Sequence, residues 1–385
     1  MDIRITGAKV LAGGEFKDAS IHIDDGAIAA IGVDRGGRRT IDAEDLLVLP
    51  GIVDVHGDAF ERQMMPRPGV DFALDIALTD TDRQVIANGI TTVFHGVTWS
   101  WEPGLRGAEN ARNLLAAIEA LKPRLAADTR YHLRFETFNF DAEAEARGWL
   151  DERKIHALAF NDHMLAADYA KRPPSKIGTM IDRSGLSRED FFKLVESLRN
   201  RSEEVPDLIG RLAKTANASG IPLLSHDDSS PEQRRWFRTL GCRVCEFPMN
   251  IETAQSAIEG NDHIVLGAPN IVRGKSHLGW INARDMVARG LCSVLASDYF
   301  YPAPLVAAFR LAETGILPLA KAWELVSGNP ARAMNLADRG DIAPDKRADL
   351  ILVDAALPGR PRVVAVLVAG RIVYITEPER LQTLM

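Results

Sequence analysis

Eight short apolar runs, most of them separated by segments of helical periodicity, limit what this chain can fold into. They read LLVLPGIVDV, GITTVFHGV, YHLRFETF, HALAFNDH, GIPLLSHD, CRVCEFPM, HIVLGAP and CSVLASDY. Runs of this length alternating with helices make parallel βα units, whose strands are buried on both faces. Eight such units close into a barrel. Helical spacing shows in GAENARNLLAAIEALKPRLAA, in PLAKAWELVSGNPARAMNL and in SREDFFKLVESLRN, where Ser187 and Asp190 form a Ser-x-x-Asp cap pattern.

Both ends of the chain have a different texture. IRITGAKVLA and ASIHIDDGAIAAIG are extended pieces, the second turned by Asp25-Gly26, a strong hairpin signal. ADLILVDAA and VVAVLVAGRIVYI repeat the style at the C-terminus, with a turn at Gly370. Each half-sheet is too small to bury a core alone, so the two are expected to pair. The expected fold is α/β: a (β/α)8 TIM-type barrel over residues 50–340, with a small β-sandwich built from residues 1–49 and 341–385.

Active-site residues of a parallel barrel project from the C-terminal ends of its strands. Here those ends carry His56 and Asp58, His95, Glu136, Asp162 and His163, His226 with Asp227 and Asp228, and Asp298. Of only nine histidines, four sit where an apolar run meets a loop. Imidazoles and carboxylates supply N and O ligands to zinc, manganese or iron, and two ions bridged by a carboxylate can ionise a shared water. Positions 56 and 58 lie two apart on a strand, so both can reach one ion. The expected ligands are His56, Asp58, Glu136, His163, His226 and Asp298, for one or two divalent ions. Asp298 is also the candidate base for the bound water. Asp227 and Asp228 read as solvated loop groups or as supports of the ligands.

The strings LPGIVDVHGD and SGNPARAMNLADRGDIAPDKRADLILVD, with the two terminal half-sheets, resemble the amidohydrolase superfamily. HGDAFERQMMPRPGVDF, GAPNIVRGKSHLGW and LASDYFYPAPLVAAF are similar to its phosphonate-metabolism branch, the triphosphate diphosphatases of the carbon-phosphorus lyase pathway. The resemblance implies metal-dependent hydrolysis of α-D-ribose 1-methylphosphonate 5-triphosphate to the 5-phosphate plus diphosphate. Such an anion needs cationic contacts from a chain with net charge −7. Arg62 and Arg67 after the first strand, and Arg273, Lys275 and His277 after the seventh, are the candidates. Two departures from the superfamily stand out. Asp58 replaces the second histidine of a His-x-His, and no lysine ends the fourth strand to bridge two metals, which leaves Glu136 as the replacement.

Acidic net charge argues against a nucleic-acid partner. The lack of an apolar span or basic leader argues against a membrane and for the cytoplasm. Cys242, Cys245 and Cys292 suit a reducing compartment, and the lone CxxC reads as buried strand rather than a zinc knuckle. A homo-oligomer is expected. Rival readings are an amidohydrolase or deaminase acting on a cyclic amide or other C–N bond, and a non-catalytic barrel subunit of a phosphonate-processing assembly.

Overall fold

The computed structural model describes residues 2–32, 39–67, 69–164, 174–274 and 282–383. The chain opens with β1 (Ile3–Ala12), β2 (Glu15–Asp24), β3 (Ala27–Ile31), β4 (Arg39–Asp42) and β5 (Leu47–Pro50). Eight strands follow among the helices: β6 (Ile52–Gly57), β7 (Ile90–Trp99), β8 (Asp128–Glu136), β9 (Ala157–Asn161), β10 (Leu223–His226), β11 (Val244–Glu246), β12 (His263–Gly267) and β13 (Val294–Ala296). The chain returns through β14 (Leu350–Asp354), β15 (Arg362–Val368), β16 (Arg371–Ile375) and β17 (Leu381–Thr383).

The terminal strands make one sheet in the order β16-β15-β14-β5-β1-β2-β3, with β4 pairing β1 and β17. The two ends of the chain are joined where β5 runs antiparallel to β14, Val48 opposite Leu352. Strand β1 pairs with β4 through Ile3–Thr6 and with β5 through Lys9–Val10, and its register against β2 shifts between Ile5 and Ala8. Gly7 sits at that corner with φ +73°, where a Cβ would approach the Glu44 nitrogen to 3.1 Å. The bulge turns β1 from one layer to the other. Between the layers lie Ile5, Val10, Ile21, Ile23, Val48, Leu350, Leu352 and Leu367, all buried.

Strands β6 to β13 form one eight-stranded parallel sheet, ordered sequentially. All six residues of β6 and all ten of β7 are buried, as strands covered on both faces must be. The first and last strands of that order meet: Gly57 bridges Asp298 in parallel register. The architecture is a TIM-type barrel with a β-sandwich built from both chain ends.

By its contacts the chain divides into two compact units. One comprises Met1–Val93, Lys122–Thr129 and Val265–Met385; the other comprises Phe94–Leu121 and Arg130–Ile264. The first holds the terminal sheet, β6 and β13. The second holds most of β7 and β8 and all of β9, β10 and β11.

All eight expected runs are strands, with two corrections to the expected elements. LLVLPGIVDV is two strands, because at Gly51 the chain leaves the terminal sheet and enters the barrel sheet. The Gly51 N–H donates to the Asp349 carbonyl at 2.8 Å, and the Trp323 Nε1–H to the Pro50 carbonyl at 3.0 Å. PLAKAWELVSGNPARAMNL is likewise two helices, Leu319–Glu324 and Gly328–Ala333, since Gly328 and Pro330 favour a fresh start over continuation. The Ser187 cap is present, its side chain accepting from the Asp190 N–H at 3.1 Å. No helix among the described residues is long and apolar enough to cross a membrane.

Behind β10 and β11 lies a buried charge network. Arg234, fully buried on the helix Pro231–Thr239, donates to Asp228 Oδ2 at 3.1 Å, to Ser225 Oγ at 2.6 Å and to the Cys242 carbonyl at 2.6 Å. Cys245 Sγ donates to the same Asp228 oxygen at 3.4 Å. Asp228, expected to be a solvated or supporting group, is therefore part of the core. Burial pushes the Cys242 and Cys245 thiols well up, so both are inert packing groups.

Two stability outcomes follow from this packing. Leu352→Ala removes a fully buried side chain at the joint of the two chain ends, and is expected to lower unfolding free energy by about 2–5 kcal/mol at unchanged denaturant slope. Arg234→Met leaves the Asp228 carboxylate buried without its cation, and is expected to cost about 3–5 kcal/mol, read from the same denaturation midpoint.

Candidate active site

In the first unit the site is built on the end of β6. Asp54, fully buried in the apolar run, reaches β13: its Oδ1 accepts from the Ser297 N–H at 2.9 Å and its Oδ2 from Ser297 Oγ at 2.5 Å. Oδ1 also accepts from the His56 N–H at 3.4 Å. Burial outweighs these bonds and holds the Asp54 carboxyl up at about 6. The backbone continues the connection, with the Asp298 N–H donating to the His56 carbonyl at 2.9 Å and the Asp58 N–H to the Asp298 carbonyl at 3.0 Å. Gly57 has no room for a side chain: a Cβ would lie 2.8 Å from Asp54 Oδ2 and 3.0 Å from the buried Tyr301 ring. His56, Asp58 and Asp298 are thus brought together by backbone. His56 is buried, while Asp58 and Asp298 are half-buried.

Asp298 has φ +53°, which turns it out of line with β13. A Cβ on Gly267, at the end of β12, would meet Asp298 Oδ2 at 3.3 Å and Asn270 Nδ2 at 3.6 Å. The absence of a side chain at Gly267 leaves that carboxylate its place. The next residue, Tyr299, gathers two of the expected anion contacts. The Arg62 guanidinium lies 5.8 Å from its ring centroid, and Arg273 Nη1 donates to its hydroxyl at 3.2 Å. Both arginines are exposed, as is Arg67, and neither Arg62 nor Arg273 pairs with a carboxylate among the described residues. Lys275 and His277 lie outside the described residues.

In the second unit the site is a row of side chains on one face of β8 to β11. Phe135, Phe160, Ser225 and Cys245 are in register, and Phe160 stacks on Phe237 of the helix Pro231–Thr239 with ring centroids 6.0 Å apart. That row faces the helices. The residues that follow, Glu136, Asn161, His226 and Glu246, therefore face the other way, into the sheet's inner side.

Glu136 accepts from the His163 N–H at 3.3 Å, and its other oxygen is bonded to His163 Nδ1. Burial works against its charge, but His163 and Arg134 outweigh it and hold the carboxyl below its usual range. His226 Nδ1 lies 3.3 Å from Asp227 Oδ2, and its Nε2 3.4 Å from Arg134 Nη2. Burial disfavours the imidazolium, yet the Asp227 carboxylate prevails and raises the His226 pKa. Asp227 is a support for His226 rather than a solvated loop group. His95, on β7, is buried within this unit.

Ligand atoms of His226 and Glu246 lie within 4.8 Å of one another. Both residues end adjacent strands in direct register. An imidazole nitrogen beside a buried carboxylate fits a divalent ion of the zinc, manganese or iron type, with Asp227 fixing the ring as second partners do. Glu246 was not among the expected ligands. The run CRVCEFPM stays apolar past Glu246 and its strand has only three residues, so no sequence boundary marks this carboxylate. Asp54 and Arg134 were also missed, because a single charge inside an apolar strand gives no pattern.

The amidohydrolase family model matches residues 201–375. The α-D-ribose 1-methylphosphonate 5-triphosphate diphosphatase of Escherichia coli (strain K12) is 30% identical over 364 residues, spanning 90% of this chain and 94% of that protein. The imidazolonepropionase of Salinispora tropica is 23% identical, covering 89% of this chain and 87% of its own length. Among solved structures, a D-hydantoinase superposes with TM-score 0.63 at 13% identity, covering 97% of this chain and 95% of that one. A Xaa-Pro dipeptidase gives 0.66 at 17% identity, covering 97% and 99%. With its eight-stranded parallel sheet, its imidazole and carboxylate strand ends and a relative matched over nearly its whole length, the chain belongs to the amidohydrolase family.

Proposed function

We propose that the chain is a metal-dependent phosphoanhydride hydrolase acting on α-D-ribose 1-methylphosphonate 5-triphosphate, releasing diphosphate and leaving the 5-phosphate. The observation that carries this reading is the convergence of Arg62 and Arg273 on Tyr299, the residue after Asp298. A chain of net charge −7 has no general attraction for a polyanion, so two arginines with no carboxylate partner among the described residues, beside the candidate base, mark an anion-binding position. The relative from Escherichia coli, whose name carries that substrate and reaction, supports the same assignment.

Within the second unit His226 and Glu246 would hold a divalent ion, their ligand atoms lying together; His56, Asp58, Glu136, His163 and Asp298 stay as proposed donors on the strand-end pattern of the sequence. A bound ion acidifies water and offsets charge on phosphoryl oxygens. The remaining steps belong to side chains. Arg62 and Arg273 hold the triphosphate, with Arg67 nearby in the chain, and Lys275 and His277 stay as proposed contacts. Asp298 takes the proton from the attacking water. As the new bond to the α-phosphorus forms, the bond from that phosphorus to the α,β-bridging oxygen breaks, and diphosphate leaves with the electron pair. Free, buried Cys242, Cys245 and Cys292 fit a cytoplasmic location.

Phosphorus NMR on the purified enzyme, with the ribose 5-triphosphate and added manganese or zinc, is expected to show free diphosphate. Intact triphosphate alongside ammonia release or ring opening from a cyclic amide would overturn the assignment. Asp298→Asn is expected to lower kcat by about 10²–10⁴-fold with the fold intact by circular dichroism, and near-normal turnover would remove Asp298 from the base role. Arg273→Ala is expected to raise KM about 10- to 100-fold with a smaller change in kcat, a loss that added salt cannot restore. Dialysis against a chelator is expected to lower Tm and abolish turnover, both recovering on return of the ion.

A further inference from the structure

Asn161 carries a further inference, because its amide is buried at the centre of the inner row and has no partner there among the described residues. It is fully buried, and neither its Oδ1 nor its Nδ2 has a hydrogen-bond partner among the described residues. Its backbone, by contrast, is occupied: the carbonyl accepts from the Thr137 N–H at 2.9 Å. Register fixes where the side chain points. Asn161 is the partner of Glu136 on β8, one residue past Phe160, which stacks on the helix side of the sheet. It therefore faces inward between Glu136 and His226.

Leaving a buried amide unpaired costs about 1–3 kcal/mol, and a leucine of similar size would fill the space without that cost. A polar side chain kept at such a position is one that is satisfied when something binds. Glu102 is a second sign of an occupant. It is buried, one of its oxygens is bonded to Arg183, and the other has no partner among the described residues. Burial chiefly, with the Glu136 charge as a lesser contribution, pushes the Glu102 carboxyl up, so Glu102 lies by the same row.

The chemistry of the row says which kind of group is wanted from Asn161. Glu136, Asp227, Glu246 and Glu102 already supply acceptors, and Arg134 is the row's cation, placed against His226 Nε2 at 3.4 Å. What the row lacks is a neutral donor that can approach an anionic oxygen without titrating or exchanging a proton with it. We propose that Asn161 contacts the substrate, its Nδ2–H donating to a non-bridging oxygen of the phosphoryl group under attack. This rests on the phosphoanhydride reading above. Neutral side-chain amides serve this way where charge develops in a transition state, and loss of one such donor typically costs about 10²–10³ in kcat.

The test uses metal-loaded wild type, Asn161→Leu and Asn161→Ala, with inorganic tripolyphosphate as the binding probe and the sugar triphosphate as substrate. Asn161→Leu is expected to keep wild-type metal content and to melt, ligand-free, no lower than wild type. It is expected to bind tripolyphosphate about tenfold or more weakly by calorimetry and to lose about 10²-fold in kcat. Probe binding and kcat within about twofold of wild type would overturn the proposal. So would a lower Tm, which assigns the amide to structure, or a loss of metal, which makes Asn161 a metal ligand. If the leucine does not fit, Asn161→Ala is judged on metal content, probe binding and kcat by the same limits. A wild type that binds tripolyphosphate yet releases no diphosphate sinks the reaction assignment alone, and the probe then judges Asn161.

Discussion

The site depends on how β6 is joined to β13. A barrel sheet closes only if its first and last strands meet in register, and here that seam also carries His56, Asp58 and Asp298. Asp54 spends both carboxylate oxygens on Ser297, and the backbones of His56, Asp58 and Asp298 exchange two hydrogen bonds just beyond. Hydrogen bonds to an ionised group contribute about 1.5–3 kcal/mol each, more than most single contacts at a surface. The cost is a carboxylate deep in the core, visible as its raised pKa. Closure of the sheet and placement of the candidate ligands are therefore one event. Gly57 is part of it, since a side chain there would push apart the groups that make the seam.

The same economy governs charge throughout the chain. Most of its buried acids are tied to a specific partner, Asp54 to Ser297, Asp228 to Arg234, Glu102 to Arg183 and Glu136 to His163, as is the half-buried Asp227 to His226. A buried carboxylate without a partner would protonate or unfold the region around it. Pairing offsets part of the cost of burial, holds Asp227 and Glu136 ionised below their usual range, and uses up basic residues inside the protein. Among the described residues Arg62 and Arg273 are spared that use. They rest on a tyrosine, through a ring face and a hydroxyl, which positions a guanidinium without neutralising it. An anion can then compete for them, which it could not do against a carboxylate.

The fold was legible in the sequence because parallel strands covered on both faces leave a coarse signal, an apolar run between helices, and all eight runs became strands. The strand-end positions of His56, Glu136, His226 and Asp298 were legible for a related reason: an apolar run that stops at an imidazole or carboxylate marks where a strand leaves the core. The signal fails where that boundary is blurred. Apolarity continues unbroken across Gly51, so the change of sheet could not be seen. Strand β11 has only three residues, too few to establish a period, and Glu246 passed unnoticed at its end. Asp54 and Arg134 sit inside runs, where one charged residue reads as noise until its partner on a distant strand is known. Asn161 was invisible for a stronger reason. What singles it out is the hydrogen bonds its amide lacks among the described residues, and no local pattern of residues encodes an absence.

Strain at the strand ends shows how the barrel was turned into a site. Asp227, Phe247 and Asp298 all adopt positive φ, at +59°, +53° and +53°, just past the ends of β10, β11 and β13. For a residue with a Cβ this conformation costs about 1–2 kcal/mol, and aspartate tolerates it better than phenylalanine. The two aspartates gain from it directly, because the turn brings Asp227 against His226 and swings Asp298 beside Gly267. Phe247 has no polar group to place. Its ring instead lies 5.1 Å from the His226 ring, tilted at 59°, where it restricts the imidazole and keeps water from one side of it. A glycine at that position would adopt the same backbone without strain but could not cover the histidine. The unfavourable φ at Phe247 is thus offset by order at His226, and stability is exchanged for a fixed imidazole at a candidate ligand position.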